Sequence, residues 1–367
     1  MELPQADVAD VDKLARVFEN KSESYKLFWF QAIIEKVREG RSSFTFGELV
    51  DAMIAEAWPM VTQYHLRLGY RDALEAVCQY LAAHAELSPM SGREELLRLL
   101  RSLDGDSEVQ RLRRQLILHV PYRFQAPFLG ADGSFWTGGQ KQLVAQINEV
   151  PHLMYTFGAF NGLNTFIEMA DGWAEYIARN GAILEGWLKF YLADYLQKRN
   201  PSVPGILYKL SRPRLKKLEE VQAYWQALAK LGDVRDIYGH RKLAGQEMAI
   251  DHFVPWSFVA HDEFWNLQPT SRKAADSKGN RLPDWEAYFR PYADLAYVSY
   301  RAMWDSPAIH RLFLQCTRNY LHNEAIKKRL YRQGQSRSEF ELQLEQVVGP
   351  VYQAALQCGF TEWKFSA

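Results

Sequence analysis

Most of the chain repeats apolar residues at the spacing of amphipathic helices, and this repeat stops over residues 234–285. In the N-terminal part the repeat consists of Leu14, Phe18, Tyr25, Phe28, Trp29, Ile33 and Val37. Thr45 and Glu48 have the spacing of a capping box, so we expect another helix to begin there and to end at Pro59. Helical spacing resumes after residue 285. The sequence therefore predicts a mostly α fold with one small α+β insertion.

Four segments follow from this pattern. They are a helical region at 1–118, a loop-rich connection with helices at 119–232, a compact insertion at 233–285 and C-terminal helices at 286–367. Pro, Gly and Phe punctuate residues 119–140, so we expect loops with short strands there rather than a long helix. A chain of 367 residues is long enough for two or three domains.

The composition excludes several classes of protein. Hydrophobic residues make up 47% of the chain and charged residues 24%, which is enough to bury a large core. Lys and Arg number 44, as do Asp and Glu, which argues against a protein that coats nucleic acid through net charge but leaves room for local basic patches. The three cysteines form no CxxC motif, and no signal core or membrane-spanning apolar run is present. We therefore expect a cytoplasmic protein without a membrane partner.

The insertion contains "AIDHFVPWSFVAHDEFWNLQPTSRKAADSKGNRLP". Short apolar runs separated by turn residues predict a β-hairpin, with strands near Val234–Tyr238 and Met248–Phe253. Asp251 and His252 would point to opposite faces at the end of the second strand. A loop and one short helix beginning at Asn266 would complete a ββα unit, with Asp251 near the helix face that carries residue 275.

The spacing of several polar residues in this segment resembles that of the HNH endonucleases, also called His-Me finger or ββα-metal nucleases. The matching residues are Asp251, His252, Pro255, Ser257, Phe258, Asp262, Asn266, Leu267 and Lys278, followed by "GNRLP". The spacing is similar to that of the zinc-free type. A "SYKLFWF" segment within a long helical N-terminal region resembles a bacterial subgroup of the family.

The resemblance implies a role for each matching position. His252 would be the general base that activates a water to attack a phosphodiester. Asp251 would bind one Mg²⁺ or Mn²⁺. Asn266 would shape the loop through hydrogen bonds to its backbone, and Lys278 would contact the phosphate or brace the helix. His261 and Asp262 are more typical of loop residues, with Asp262 also suited to capping.

Position 275 departs from the family pattern. The family places Asn or His there as the second protein ligand of the metal, whereas this chain has Ala275, which has no donor atom. The neighbouring residues fit the family, so a single replaced ligand is a better interpretation than a drifted motif. We therefore expect the metal site to be empty or weakly filled and the nuclease activity of the chain to be nearly lost.

The resemblance implies a metal-dependent HNH endonuclease that hydrolyses DNA, either by nicking or by double-strand cleavage. By analogy to the bacterial subgroup, it would serve antiviral defence, with other proteins of a defence system as further partners. Candidate DNA contacts are Arg212, Arg214, Lys216, Lys217 and Arg272. A second hypothesis is a module that binds DNA or a defence partner without cutting. A third is a nuclease of the same fold that acts on RNA.

Overall fold

The computed structural model describes residues 2–7, 10–19, 23–130, 133–211, 218–232, 234–243 and 247–366. Within these residues the chain is largely helical with three small sheets, which confirms the predicted fold class. It divides into two compact units, Met1–Pro201 with Leu210–Arg212 and Ser202–Lys209 with Pro213–Ala367. The four segments predicted from the sequence do not coincide with these units, because their first boundary falls inside the first unit.

The first unit packs ten helices around an aromatic core. They are α1 (Val11–Ala15), α2 (Tyr25–Arg38), α3 (Phe46–Thr62), α4 (Ala73–His84), α5 (Arg93–Ser102), α6 (Ser107–Leu116), α7 (Val120–Arg123), α8 (Ala126–Leu129), α9 (Gln140–Asn148) and α10 (Trp173–Arg199), counted over the described residues. Strands β1 (Ser43–Thr45), β2 (Tyr155–Phe157) and β3 (Phe166–Met169) form an antiparallel sheet in the order β1-β3-β2. Large rings such as those of Phe18 and Trp187, 4.7 Å apart, fill the core.

The predicted start of α3 agrees with the structure, whereas its predicted end does not. The capping box is present, since the Thr45 hydroxyl accepts from Glu48 N at 3.1 Å and the Glu48 carboxylate accepts from Thr45 N at 2.7 Å. The expected end at Pro59 is wrong, because the helix continues to Thr62 through buried neighbours on both sides of the proline.

The strands expected in residues 119–140 are also absent from the part of this stretch that the structure describes. The short helices α7 and α8 and a 3-10 turn at Gly133–Thr137 take their place. Pro121 and Pro127 lie in the first turns of the two helices, where the missing N–H has no intrahelical partner to lose. The prolines that suggested loops therefore begin helices.

The second unit contains the ββα segment together with further helices. Over the described residues its α-helices are α11 (Glu219–Leu231), α12 (Trp256–Val259), α13 (Arg272–Lys278), α14 (Trp285–Asp305), α15 (Pro307–Tyr320), α16 (Glu324–Leu330) and α17 (Arg337–Gln357). Strands β4 (Met248–His252) and β5 (Leu267–Ser271) pair antiparallel, and β6 (Leu282–Pro283) pairs in parallel with β7 (Glu362–Trp363). In the described part of the chain, no helix has both the length and the hydropathy needed to cross a membrane.

The predicted hairpin is wrong about which strand pairs with Met248–His252. Met248–His252 is a strand, but it pairs with Leu267–Ser271, and Val234–Tyr238 contributes only an isolated bridge between Arg235 and Lys242. The segment around Asp236 forms a turn instead, because the Asp236 carboxylate accepts from Tyr238 N at 3.0 Å and its backbone carbonyl from His240 N at 2.8 Å. The ββα unit is therefore assembled from strands that lie on either side of the long loop.

Candidate active site

The short helix begins later than predicted. Residues 267–271 are extended, and α13 starts at Arg272. Pro269 explains the difference, because it lacks an amide hydrogen and restricts the preceding residue to extended conformations. The Ser271 side chain then caps the helix by accepting from Ala274 N at 3.3 Å. The second strand and the helix thus come from one continuous segment, and the helix packs against β4.

The carboxylate of Asp251 has two partners within the second unit. The Lys278 ammonium lies 3.1 Å from Oδ2 and 3.3 Å from Oδ1. The Tyr238 hydroxyl donates to Oδ2 at 3.0 Å and accepts from the Gln268 side-chain amide at 3.0 Å. Burial and the charge of Asp251 raise the pKa of Tyr238 well above its ordinary value, so the phenol stays protonated. The negative charge of Asp251 is therefore neutralised within the protein.

His252 is oriented by a carboxylate from the loop. Its Nε2 lies 2.8 Å from Oδ1 of Asp262, and its side chain is 16% exposed. An ionised carboxylate only accepts hydrogen bonds, so Nε2 carries the hydrogen in this contact and Nδ1 is left as the basic ring atom. Asp262 thus lies in the loop, as expected from the sequence, and in addition its carboxylate orients the ring of His252.

Asn266 closes the loop between the two strands. Its side-chain Oδ1 accepts from Val254 N at 2.8 Å, and its Nδ2 donates to Val254 O at 2.8 Å. The backbone adds a bond from Phe253 N to Asn266 O at 2.9 Å. Both Asn266 and Val254 are buried, so water does not compete for these groups. The loop contacts expected of Asn266 from the sequence are confirmed.

Lys278 braces the unit from the end of α13. Besides its contact with Asp251, its ammonium donates to the carbonyl oxygen of His252 at 2.8 Å. Its side chain is only 1% exposed, which places the charge beneath the site rather than at its mouth. Of the two roles expected from the sequence, the structure shows the bracing contacts.

Ala275 stands where a second metal ligand is expected. It lies three residues before Lys278 on α13, so helical geometry places the two residues on the same face of the helix. Its methyl group offers no electron pair to a cation. Among the described residues, no group of three or more His, Cys, Asp and Glu side chains is arranged to hold a metal ion. One neutralised carboxylate, with a methyl group at the position where the second ligand is expected, does not fit a resident divalent ion, which takes several oxygen ligands.

The residues predicted to contact DNA fall into two groups. Arg272 is the first residue of α13, and its side chain is exposed. Arg212, Arg214, Lys216 and Lys217 lie outside the described residues, so their role stays a prediction.

Sequence reasoning did not assign two contacts of the site, those of Asp262 with His252 and of Tyr238 with Asp251. Asp262 had a usable signal, because it stands among the positions that resemble the family pattern, between His252 and Asn266. Tyr238 had none, because its hydroxyl reaches Asp251 from a turn that resembled a strand.

An Asp-His pair at a strand end, a loop closed by a buried Asn and a short helix packed on the strands define a ββα nuclease unit. Residues 236–284 match the family model described as HNH endonuclease. Residues 236–284 are thus an HNH endonuclease domain, which confirms the resemblance. An HNH domain takes nucleic acid as its substrate, and its chemistry generally depends on a divalent metal ion. Neither the curated proteins nor the solved structures gave a match to the chain.

Proposed function

We propose that this protein is an HNH endonuclease of DNA, of the Mg²⁺- or Mn²⁺-dependent type, whose cutting is strongly reduced by Ala275. The observation that carries the proposal is the contact between His252 and Asp262, because it leaves a basic imidazole nitrogen beside the Asp-His strand end of an HNH domain. A base of this kind is what phosphodiester hydrolysis by water requires.

Each side chain of the site has a separate role in the proposed hydrolysis. Asp262 holds the imidazole through Nε2, and Nδ1 takes a proton from a water. That water attacks the phosphorus, the bond from phosphorus to the leaving sugar oxygen breaks with its electron pair going to that oxygen, and the oxygen takes up a proton from solvent. Asn266 keeps the loop in the shape that places Asp262, and Lys278 holds the end of the strand that carries the histidine. No step is assigned to a metal ion, because the donor set around Asp251 does not fit one.

A second candidate function is a module that binds DNA without cutting it. It is favoured by the neutralised carboxylate of Asp251 together with the methyl group of Ala275. Phosphate contacts need only exposed basic groups such as Arg272, and they do not require a complete catalytic site.

A plasmid assay separates the two candidates. Supercoiled plasmid is incubated with the chain and with its Ala275→Asn variant, in Mg²⁺ and in Mn²⁺, and nicked or linear DNA is measured. Restoring a missing ligand should raise cleavage by about 10–100-fold or more, the range by which removing a supporting group weakens a metal site. The double variant Ala275→Asn with His252→Ala should not cut, and Asp276→Asn, with its amide one residue further along α13, should resemble the original chain.

One result would contradict the nuclease proposal, and another would contradict the role given to position 275. If Ala275→Asn binds DNA but leaves it intact, the protein is a binding module. If the chain cuts equally well with and without the substitution, position 275 is not a ligand position. A parallel RNA substrate tests the third hypothesis, since preferential RNA cleavage would replace DNA as the target.

A role in bacterial antiviral defence with protein partners is proposed by analogy to the bacterial subgroup that the helical N-terminal region resembles. Phage plating on bacteria that express the chain, compared with bacteria that express His252→Ala, tests this role. Equal plaque counts on the two strains and on an empty-vector strain would contradict it.

A further inference from the structure

Residues 202–209 form a short excursion of the chain, here called the latch. They belong to the second unit, although Pro201 and Leu210 on either side belong to the first. The latch ends in a 3-10 turn at Ile206–Lys209 and lies outside the matched residues 236–284. No role in the nuclease unit follows from the family match for this segment.

Lys209 is the only charged side chain of the latch, and it is completely buried. Its ammonium donates to Pro204 O at 2.8 Å and to Phe258 O, and it lies 5.5 Å from the centre of the Phe258 ring. Burial lowers the pKa of Lys209 to about 7, and the nearby Cys358 opposes this shift. A neutral amine keeps two N–H donors, so both carbonyl bonds survive loss of the proton.

A second contact joins the latch to the same loop. Gly205 has a φ of +62°, and a Cβ at this position would lie 2.7 Å from the Cβ of Ala260, which itself has a φ of 57°. The chain at position 205 thus lies so close to Ala260 that only glycine fits there without a shift of one of the two segments. Lys209 and Gly205 together hold the loop at Phe258 and at Ala260.

These two points lie just before the residue that orients the histidine. Asp262 follows Ala260 by two positions, and its carboxylate contacts Nε2 of His252 at 2.8 Å. Resting on the nuclease function proposed above, we propose that Lys209 is a positioning residue that fixes the loop so that Asp262 presents its carboxylate to His252. A buried methionine would fill the same space without the cost of desolvating an amine, so the lysine contributes its directed hydrogen bonds.

Hydrogen exchange in the full-length chain tests the mechanical part of the proposal. In Lys209→Met and in Gly205→Ala, amides of residues 256–262 should exchange about tenfold faster or more, since each variant removes or strains a contact to this loop. Amides of residues 267–271 should keep their rates. Gly334→Ala is the matched control, because Gly334 also has a positive φ of +85° but has nothing within 4 Å of an added Cβ.

The ring nitrogens of His252 give a readout that a merely structural residue would not move. In ¹⁵N spectra the original chain should show His252 with its hydrogen on Nε2, and Lys209→Met should shift the ring toward a mixture of tautomers. In the Ala275→Asn background, Lys209→Met should lower kcat with little change in KM, because positioning of the base acts on the chemical step.

Failure of the inference and failure of the proposed function can be told apart, since exchange and ring spectra need no catalysis. Unchanged exchange in residues 256–262 of Lys209→Met, or equal loosening in Gly334→Ala, would overturn the positioning role even if Ala275→Asn cuts DNA. Faster exchange together with a shifted His252 tautomer would support it even if no variant cuts.

Discussion

The ammonium of Lys278 lies 3.1 Å from Oδ2 of Asp251, and the same ammonium donates to the carbonyl oxygen of the next residue, His252. One buried cation therefore fixes both residues of the Asp-His pair. It also neutralises the carboxylate to which the family resemblance assigns a metal ion.

Replacing Lys278 with Met should destabilise the second unit by about 3 kcal/mol, because it leaves the carboxylate of Asp251 mostly buried and without its cation. Urea unfolding measures the loss. Adding Asp251→Asn to Lys278→Met should recover part of it, since no buried charge then remains. Lys230→Met, at an exposed position of α11, should change stability by no more than about 0.5 kcal/mol. A double variant less stable than Lys278→Met would show that the ion pair is not the source of the loss.

Asn266→Ala should cost about 2–4 kcal/mol, because it leaves the amide and the carbonyl of buried Val254 without partners. Asn148→Ala is a matched control. Asn148 makes the same pair of side-chain bonds to the backbone of Phe157, at 2.9 and 2.7 Å, but its side chain is exposed and water can replace them. Denaturant unfolding followed by a probe in each unit should show the larger loss for Asn266→Ala. Equal losses would mean that burial does not set the cost.

The general class of fold could be predicted because helical periodicity is a local property of the sequence. The spacing of Asp251, His252, Asn266 and Lys278 located the unit through its resemblance to the HNH pattern, because all four residues lie within one continuous stretch of the sequence. The capping box at Thr45 was predictable because its two hydrogen bonds join residues three apart.

The partner of β4 could not be predicted in this way, because the pairing of Ile250 with Pro269 spans a long loop and competes with a nearer apolar run. Proline was also misleading as a general signal. It excludes helix at residue 268, yet it begins α7 and lies within α3, so its effect depends on packing. The contact of Lys209 with Phe258 joins residues far apart in sequence, and nothing in the local pattern marks it.

Asp262→Ala should free the ring of His252 without unfolding the loop, because Asn266 still closes it. The expected result in ¹⁵N spectra is a loss of the preference for hydrogen on Nε2. In the Ala275→Asn background we expect cleavage to fall by about 100-fold, the lower end of general-base effects. A His252 ring that keeps its tautomer in Asp262→Ala would show that another group orients it.

Lys209 should make stability depend on pH in the alkaline range. Its pKa is lowered to about 7 in the folded chain, whereas an unfolded lysine titrates at about 10.4. Between these values the unfolded chain binds the extra proton, so stability rises with pH by up to about 1.4 kcal/mol per unit. Lys209→Met should lack this slope. Unfolding from about pH 7.5 to 9.5, with Cys358→Ala in both proteins to remove the thiol, measures the difference, and parallel curves would contradict the lowered pKa.

DNA binding should depend strongly on salt and should weaken when Arg272 becomes Glu, because an exposed arginine beside the site contributes through ionic bonds to phosphates. For each phosphate that the variant no longer neutralises, the slope of log affinity against log salt should become shallower by about 0.9. Lys230→Glu makes the same kind of charge change on α11 and should leave the slope unchanged if α11 lies outside the DNA-binding surface.

Reversing the charges of Arg212, Arg214, Lys216 and Lys217 should weaken binding to all duplexes alike. Fluorescence anisotropy with two duplexes of unrelated sequence makes the comparison, and weaker binding to only one of them would mean that the cluster reads bases rather than phosphates.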